Sequence, residues 1–302
     1  MVIKKTFGEK IFDVFNIILM LILVVVTLLP FLHVIFSSFS SSKYIMQTKG
    51  LMLWPKGFNT KAYELALENP ILGRSYINTI IYAASGTFLG IFLMSMAAYA
   101  LVKPEWPLKK TFIIMIMITM FFGGGLIPTY INIRNLRLLN TMWVMFLPSC
   151  INTWTIMVLR TGFNQVPSSI AESAYMDGAN DLIILFKFIM PLSKAVLAVV
   201  ALFSIVGYWN SWFPALIYLK DRKLYPLQMV LREVVTLGEN AGIEQMILDS
   251  MSDIAEEGGD FITMREAIKY ATITIAIGPI ILVYPFLQRY FVKGVMIGSL
   301  KG

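Results

Sequence analysis

Side chains able to do chemistry are scarce in this chain. The 302 residues include one histidine, His33, and one cysteine, Cys150. A single imidazole cannot build a multi-histidine metal site or an H-E-x-x-H helix. A single thiol cannot close an internal disulfide. No G-x-x-x-x-G-K-[ST] run occurs, so the usual backbone cradle for nucleotide phosphates is missing. His33 and Cys150 lie in or beside apolar stretches, where packing is the simpler role. The exception is a polar segment whose spacing is mechanical rather than catalytic. It reads Ser168-Ser169-Ile170-Ala171-Glu172-Ser173-Ala174-Tyr175-Met176-Asp177-Gly178, and Phe188-Ile189-Met190-Pro191 follows after nine residues. Small residues at Ser173 and Ala174 allow close approach to a partner helix. Gly178 permits a bend because it has no Cβ. Pro191 suits the first turn of a following helix, where its missing N–H costs nothing. The segment therefore predicts a short helix, a turn and a second short helix lying along a membrane, suited to docking into a groove on another chain.

The elements that position this segment follow from composition. The chain is 57% hydrophobic and only 14% charged, against about 25% charged in a typical soluble domain. A helix needs about 20 apolar residues to cross a bilayer. Six stretches meet or approach that length, at residues 11–36, 77–102, 112–127, 138–159, 195–219 and 267–286. Gly123-Gly124-Gly125 and Pro128 interrupt the run between the third and fourth. The basic N-terminus followed by an apolar run resembles a signal peptide, but the run is too long and lacks a small-residue cleavage site, so it reads as a retained anchor. The net charge of +7 belongs at membrane edges rather than on nucleic acid.

Six spans put both termini on one side. Twelve basic residues fall on the N-terminal side and thirteen opposite, so the raw count is even; six acidic residues against twelve give net charges of +6 there and +1 opposite. That balance predicts cytoplasmic termini, with Lys4, Lys5, Lys10, Lys103, Lys109, Lys110, Arg289 and Lys293 at the inner edge. The outer loops are then residues 37–76, with an amphipathic stretch at 60–67, and residues 220–266, with an acidic segment at 244–260. The acidic segment reads as a solvated helix face or as a contact for an outside protein. The polar motif lies in the largest inner loop, residues 160–194. No repeat interrupts residues 1–302, so one membrane domain is the economical reading: an extra N-terminal span and a core over residues 73–292.

The motif resembles the "EAA" loop of bacterial ABC importer permeases: Glu-Ala-Ala, three residues, Gly, nine residues, then Ile-x-Leu-Pro. The chain keeps Glu172, Ala174, Gly178 and Pro191, and departs with Ser173, Phe188 and Met190. The loop falls between the fourth and fifth spans, where that family places it. The stretches 122–130, Gly207-Tyr208-Trp209-Asn210-Ser211-Trp212, Tyr225-Pro226-Leu227-Gln228 and 292–302 are similar to the carbohydrate-uptake branch, the maltose-type inner-membrane permeases, and within it permeases for oligosaccharides and polysaccharides. The resemblance implies an all-α, polytopic plasma-membrane protein with six transmembrane helices and a cytoplasmic coupling loop. It implies a second homologous permease as heterodimer partner, two ATPase subunits, an extracellular sugar-binding protein, a carbohydrate substrate and surrounding lipid. ATP and magnesium would sit on the ATPases, leaving this chain without a cofactor and without catalysis. Glu172, Ser173, Ala174, Asp177, Gly178 and Pro191 would couple to the ATPase. The ending Gly298-Ser299-Leu300-Lys301-Gly302 would reach into the ATPase pair, extended and flexible because of its small residues.

Tyr208, Trp209, Asn210 and Trp212 admit two readings. Their aromatic faces suit sugar C–H surfaces, with Asn210 bonding hydroxyls; or they pack helices and mark an interfacial aromatic belt. Only an i, i+3 subset can face one way. An ion-coupled secondary transporter of small solutes is the competing class. It predicts ionisable groups or broken helices near the membrane midplane, and intramembrane carboxylates are scarce here. A membrane enzyme predicts paired catalytic groups near one face, and no such constellation stands out.

Overall fold

The structure is a computed structural model that describes residues 6–103, 106, 108–237 and 261–299, with the backbone alone for 237, 261 and 282–299. The described elements are helical, apart from an isolated bridge between Ser40 and Phe58. Backbone contacts divide the chain into two compact units, Met1–Pro70 with Glu233–Ile277 and Ile71–Arg232 with Gly278–Gly302.

The first unit is dominated by α1 (Phe7–Ser38). Its start is fixed by a capping box: Thr6 N–H donates to Glu9 Oε2 at 2.7 Å, and Glu9 N–H donates to Thr6 Oγ1 at 3.4 Å. At 32 residues it is about 48 Å long. Its most apolar window has a mean hydropathy of 2.9, and none of that window is buried. Such a surface is stable only against hydrocarbon or another apolar protein face. Its C-terminal end is tied down locally by α2 (Ser42–Gln47) and α3 (Lys61–Glu68). Helix α3 matches the amphipathic stretch read at 60–67. His33 Nδ1 accepts from the Met52 N–H at 2.9 Å, and its ring stands edge-on to Tyr270 at 5.6 Å. The lone histidine thus joins segments by a hydrogen bond and ring packing.

The second unit is built on α4 (Pro70–Val102), which begins seven residues before the expected span. Eight of its thirteen buried positions are small or hydroxylic, namely Ser75, Thr79, Ala83, Gly86, Thr87, Gly90, Ser95 and Ala98; the others are Leu72, Tyr82, Met94, Tyr99 and Leu101. Small residues let other helices close on α4 where lipid supplies no hydrophobic drive between helices. Gly86 shows how close they come, because a Cβ there would collide with the Tyr208 ring. A Gly86→Val change should therefore lower the thermal midpoint of the folded protein by overpacking, at a cost of about 1–3 kcal/mol. An unchanged midpoint would show that Tyr208 can swing clear.

The third and fourth apolar stretches are not single helices. Helix α5 (Lys109–Phe121) stops at the glycine run, and α6 (Leu126–Asn135) leaves at 111° to it. Gly125 permits the corner with a φ of +82°. Between residues 138 and 152 the described helical structure is a short 3₁₀ turn, Met142–Met145, and α7 (Thr153–Phe163) follows with Asn152 as its cap. Pro148 interrupts the apolar run, and Asn140 is left-handed with a φ of +55°. Helices α8 (Ser168–Met176) and α9 (Asp181–Leu192) form the motif read around Glu172 and Gly178, and α10 (Lys194–Trp209) leaves α9 at 86°. Asn210 and Ser211 separate α10 from α11 (Trp212–Tyr218), so the fifth stretch is broken too. Helix α12 (Leu227–Arg232) ends the continuous part of this unit, and α13 (Phe261–Ser299) contains the sixth stretch. Among the described residues, two helices are long and apolar enough to cross a membrane alone, and up to four spans result if each bent pair counts as one.

Candidate functional site

The motif folds as a helix, a turn and a helix. Helix α8 ends in a Schellman turn: Ala179 N–H donates to Ala174 O at 2.9 Å, and Gly178 N–H donates to Tyr175 O at 3.0 Å. Gly178 takes the left-handed position this turn requires, with a φ of +81°. A Cβ there would meet no atom within 4 Å, so glycine is needed for its backbone conformation and not for space. The next helix starts at once, with Asn180 Oδ1 accepting from the Ile183 N–H at 2.9 Å.

The turn has a buried side and an open side. Ala174 is buried in a core with Ala98, Tyr99, Leu101, Leu159, Phe163, Ile184 and Leu185. The close approach its size permits is therefore to helices of its own chain, which corrects the expectation of a partner helix at that position. Glu172, Ser173, Asp177 and Gly178 are exposed. Met176 is 89% exposed, an apolar knob at the tip that sequence spacing did not single out. Pro191 is also placed differently from expectation. It lies in the last turn of α9, and the break follows at Ser193. Just before it, Leu185–Ile189 widens into a π-turn in which Met190 N–H reaches Leu185 O. A proline ring clashes with the carbonyl four residues back, and a wider turn relieves that clash. The tail departs from expectation as well. Helix α13 continues through Gly298 and Ser299, because one glycine costs a helix only about 1 kcal/mol and Val295-Met296-Ile297 propagates it. Leu300, Lys301 and Gly302 lie outside the described residues, as does the acidic segment 244–260.

A second site opens beside α4. A cavity of about 470 Å³ is lined by Ser149, Asn152, Trp154, Phe203, Ser204 and Tyr208, among others, a size within the usual range for small-molecule sites. Trp154 and Phe203 meet edge-on at 6.1 Å and are 49% and 53% exposed. Hydroxyl and amide groups beside flat aromatic faces are the chemistry a sugar ring requires. The aromatic group expected in the fifth stretch is split. Tyr208 lines this cavity and donates to Phe146 O at 3.3 Å. Trp209 is 6% exposed, stands edge-on to Tyr76 at 5.8 Å, and faces a smaller, almost wholly apolar space. Trp212 carries the Arg232 guanidinium 4.9 Å above its ring, and Asn210 is exposed at the break. Asn152 and Trp154 escaped sequence reading because they lie in what resembled a continuous apolar span.

No family model matches the sequence. Curated relatives do. The polygalacturonan/rhamnogalacturonan transport system permease protein YtcP of Bacillus subtilis is 34% identical over 294 residues, covering 97% of this chain and 99% of that protein. The melibiose/raffinose/stachyose import permease protein MelC of the same organism is 26% identical, covering 83% and 84%. A chain in the crystal structure of a bacterial ABC transporter that imports the acidic polysaccharide alginate superposes with a TM-score of 0.86 at 30% identity, covering 96% of this chain and all of that one.

Proposed function

This chain belongs to the permease subunits of carbohydrate ABC importers, and from that premise we propose how it works. It is a single membrane domain that crosses the bilayer six times with both termini in the cytoplasm, using bent segments for some crossings. It pairs with a second, homologous permease, two ATPase subunits and an extracellular sugar-binding protein. ATP and magnesium are held by the ATPases, and this chain performs no hydrolysis. The carbohydrate, an oligosaccharide or polysaccharide fragment, is received from the binding protein and passes the cavity between Trp154 and Tyr208. Closure of the ATPase pair presses on the tip of the α8–α9 turn, and the spans switch from inward- to outward-facing. Sugar is released inward on reset.

The observation that carries this reading is the two-sidedness of that turn. Glu172, Met176 and Asp177 stand free on one side while Ala174 is locked into the helical core on the other. A load at the tip is therefore passed to the spans instead of being absorbed by a loose loop. The charge balance supports the orientation, since Lys103, Lys109 and Arg160 gather at the same end as the turn.

Co-purification tests the docking surface. A Glu172→Lys permease should insert normally but retain the ATPase at least about tenfold less well, since reversing a contact charge costs more than 1.4 kcal/mol at an interface. Normal ATPase recovery together with normal uptake would remove Glu172 from that surface.

A further inference from the structure

The inner end of α4 is a meeting point of three cations. The last carbonyls of any helix lack partners within it, and they form its negative pole. Here Arg160 Nε donates to Leu101 O at 3.3 Å, and Lys109 Nζ donates to Val102 O at 2.9 Å and to Lys103 O at 3.3 Å. Lys103 does something else. Its ammonium is paired with the carboxylate of Asp181, the first residue of α9. The same carboxylate accepts a hydrogen bond from the Tyr175 hydroxyl of α8. The ammonium also lies 5.6 Å from the ring centres of both Tyr99 and Tyr175. One side chain thus touches the last turn of α4 and both helices of the motif. The Lys103 ammonium, and then the Tyr175 hydroxyl, hold the Asp181 carboxyl below its ordinary range, which favours its charged form.

Stability does not account for this arrangement. The two side chains are 30% and 51% exposed, and exposed ion pairs add little to folding. The apolar contacts of Ala174, Ile184 and Leu185 beneath already hold the turn in place. Apolar contacts can slide, however, whereas a charge-assisted bond fixes direction and register. Helix α4 carries Gly86 and Met94 on the wall of the sugar-sized cavity, about 25 Å and about 13 Å from Lys103 at 1.5 Å per residue.

We propose that Lys103 is a positioning residue for energy coupling: through Asp181 and Tyr175 it locks the α8–α9 turn to the inner end of α4, so that a load on the turn reaches the cavity wall along α4. The proposal rests on the reading of that turn as the ATPase contact.

The test uses the complete importer with its binding protein in proteoliposomes, measuring sugar uptake, ATP hydrolysis and thermal midpoint on the same preparations. Lys103→Met and Asp181→Asn should each lower sugar moved per ATP by about threefold to tenfold, the scale of couplings carried by residues that touch neither ligand. The thermal midpoint should hardly move. The double variant should be no worse than either single one, and Lys103→Arg should keep most of the coupling. Unchanged sugar per ATP in both single variants would overturn the proposal. So would a parallel fall in uptake and hydrolysis with a lowered midpoint, the signature of a structural role. If the unaltered complex shows no ATP-driven uptake, the permease mechanism itself fails, and that outcome is distinguishable from failure of the Lys103 brace alone.

Discussion

A Gly178→Val permease should reach the membrane in normal amounts and import almost no sugar. The reason is the backbone, because Gly178 has a φ of +81° and open space where a Cβ would project. A β-branched residue held there costs about 1–3 kcal/mol, which corresponds to about fivefold to 150-fold in the population of the native turn. Gly178 itself is exposed and fills no packing space, so the spans still fold, but α8 and α9 no longer present Met176 and Asp177 together. A graded series separates this account from crowding. Asn at this position should retain most uptake, since it tolerates the left-handed region; Ala should lose part and Val nearly all. Equal uptake across the three variants, measured with membrane level and ATPase recovery, would contradict the assignment of the turn.

The second large effect concerns two tryptophans that look alike in sequence. Trp154→Ala removes an exposed face of the cavity, and stacking on an aromatic platform is worth about 1–3 kcal/mol by analogy with bases. Uptake should fall by about tenfold or more while hydrolysis stimulated by the binding protein persists and the thermal midpoint holds. Trp209→Ala removes a buried ring packed on Tyr76, a loss of about 3–5 kcal/mol of folding stability. There, midpoint, assembly, hydrolysis and uptake should decline together. Reversal of the two phenotypes would place the sugar path on the other face of α10.

The motif was readable in sequence because its grammar is local. A capped helix, a left-handed glycine and a second capped helix are each specified within about four residues. The long apolar helices α1 and α4 were readable for the same reason, since hydropathy accumulates along the chain. The breaks were harder. Asn210-Ser211 and the stretch 138–152 sit inside apolar runs that average as spans, yet the backbone turns there. Pro191 was legible as a helix boundary but not on its correct side, because the π-turn before it leaves no mark in composition. The pairing of Lys103 with Asp181 was out of reach. The two residues lie 78 positions apart in separate loops, and only the packing of α8 and α9 under α4 brings them together. The cavity was hidden for a related reason, since its wall combines α4, α10 and an irregular segment.

The central claim is that this chain moves carbohydrate on energy delivered by partner ATPases. The most direct measurement is sugar uptake by proteoliposomes holding the complete complex and its binding protein, with ATP enclosed on the ATPase side and no ion gradient. Uptake should require ATP and cease when the ATPases carry an inactivating substitution, with Gly178→Val matching that null rate. Uptake that continues without ATP and follows an imposed proton or sodium gradient would contradict the account and favour an ion-coupled carrier.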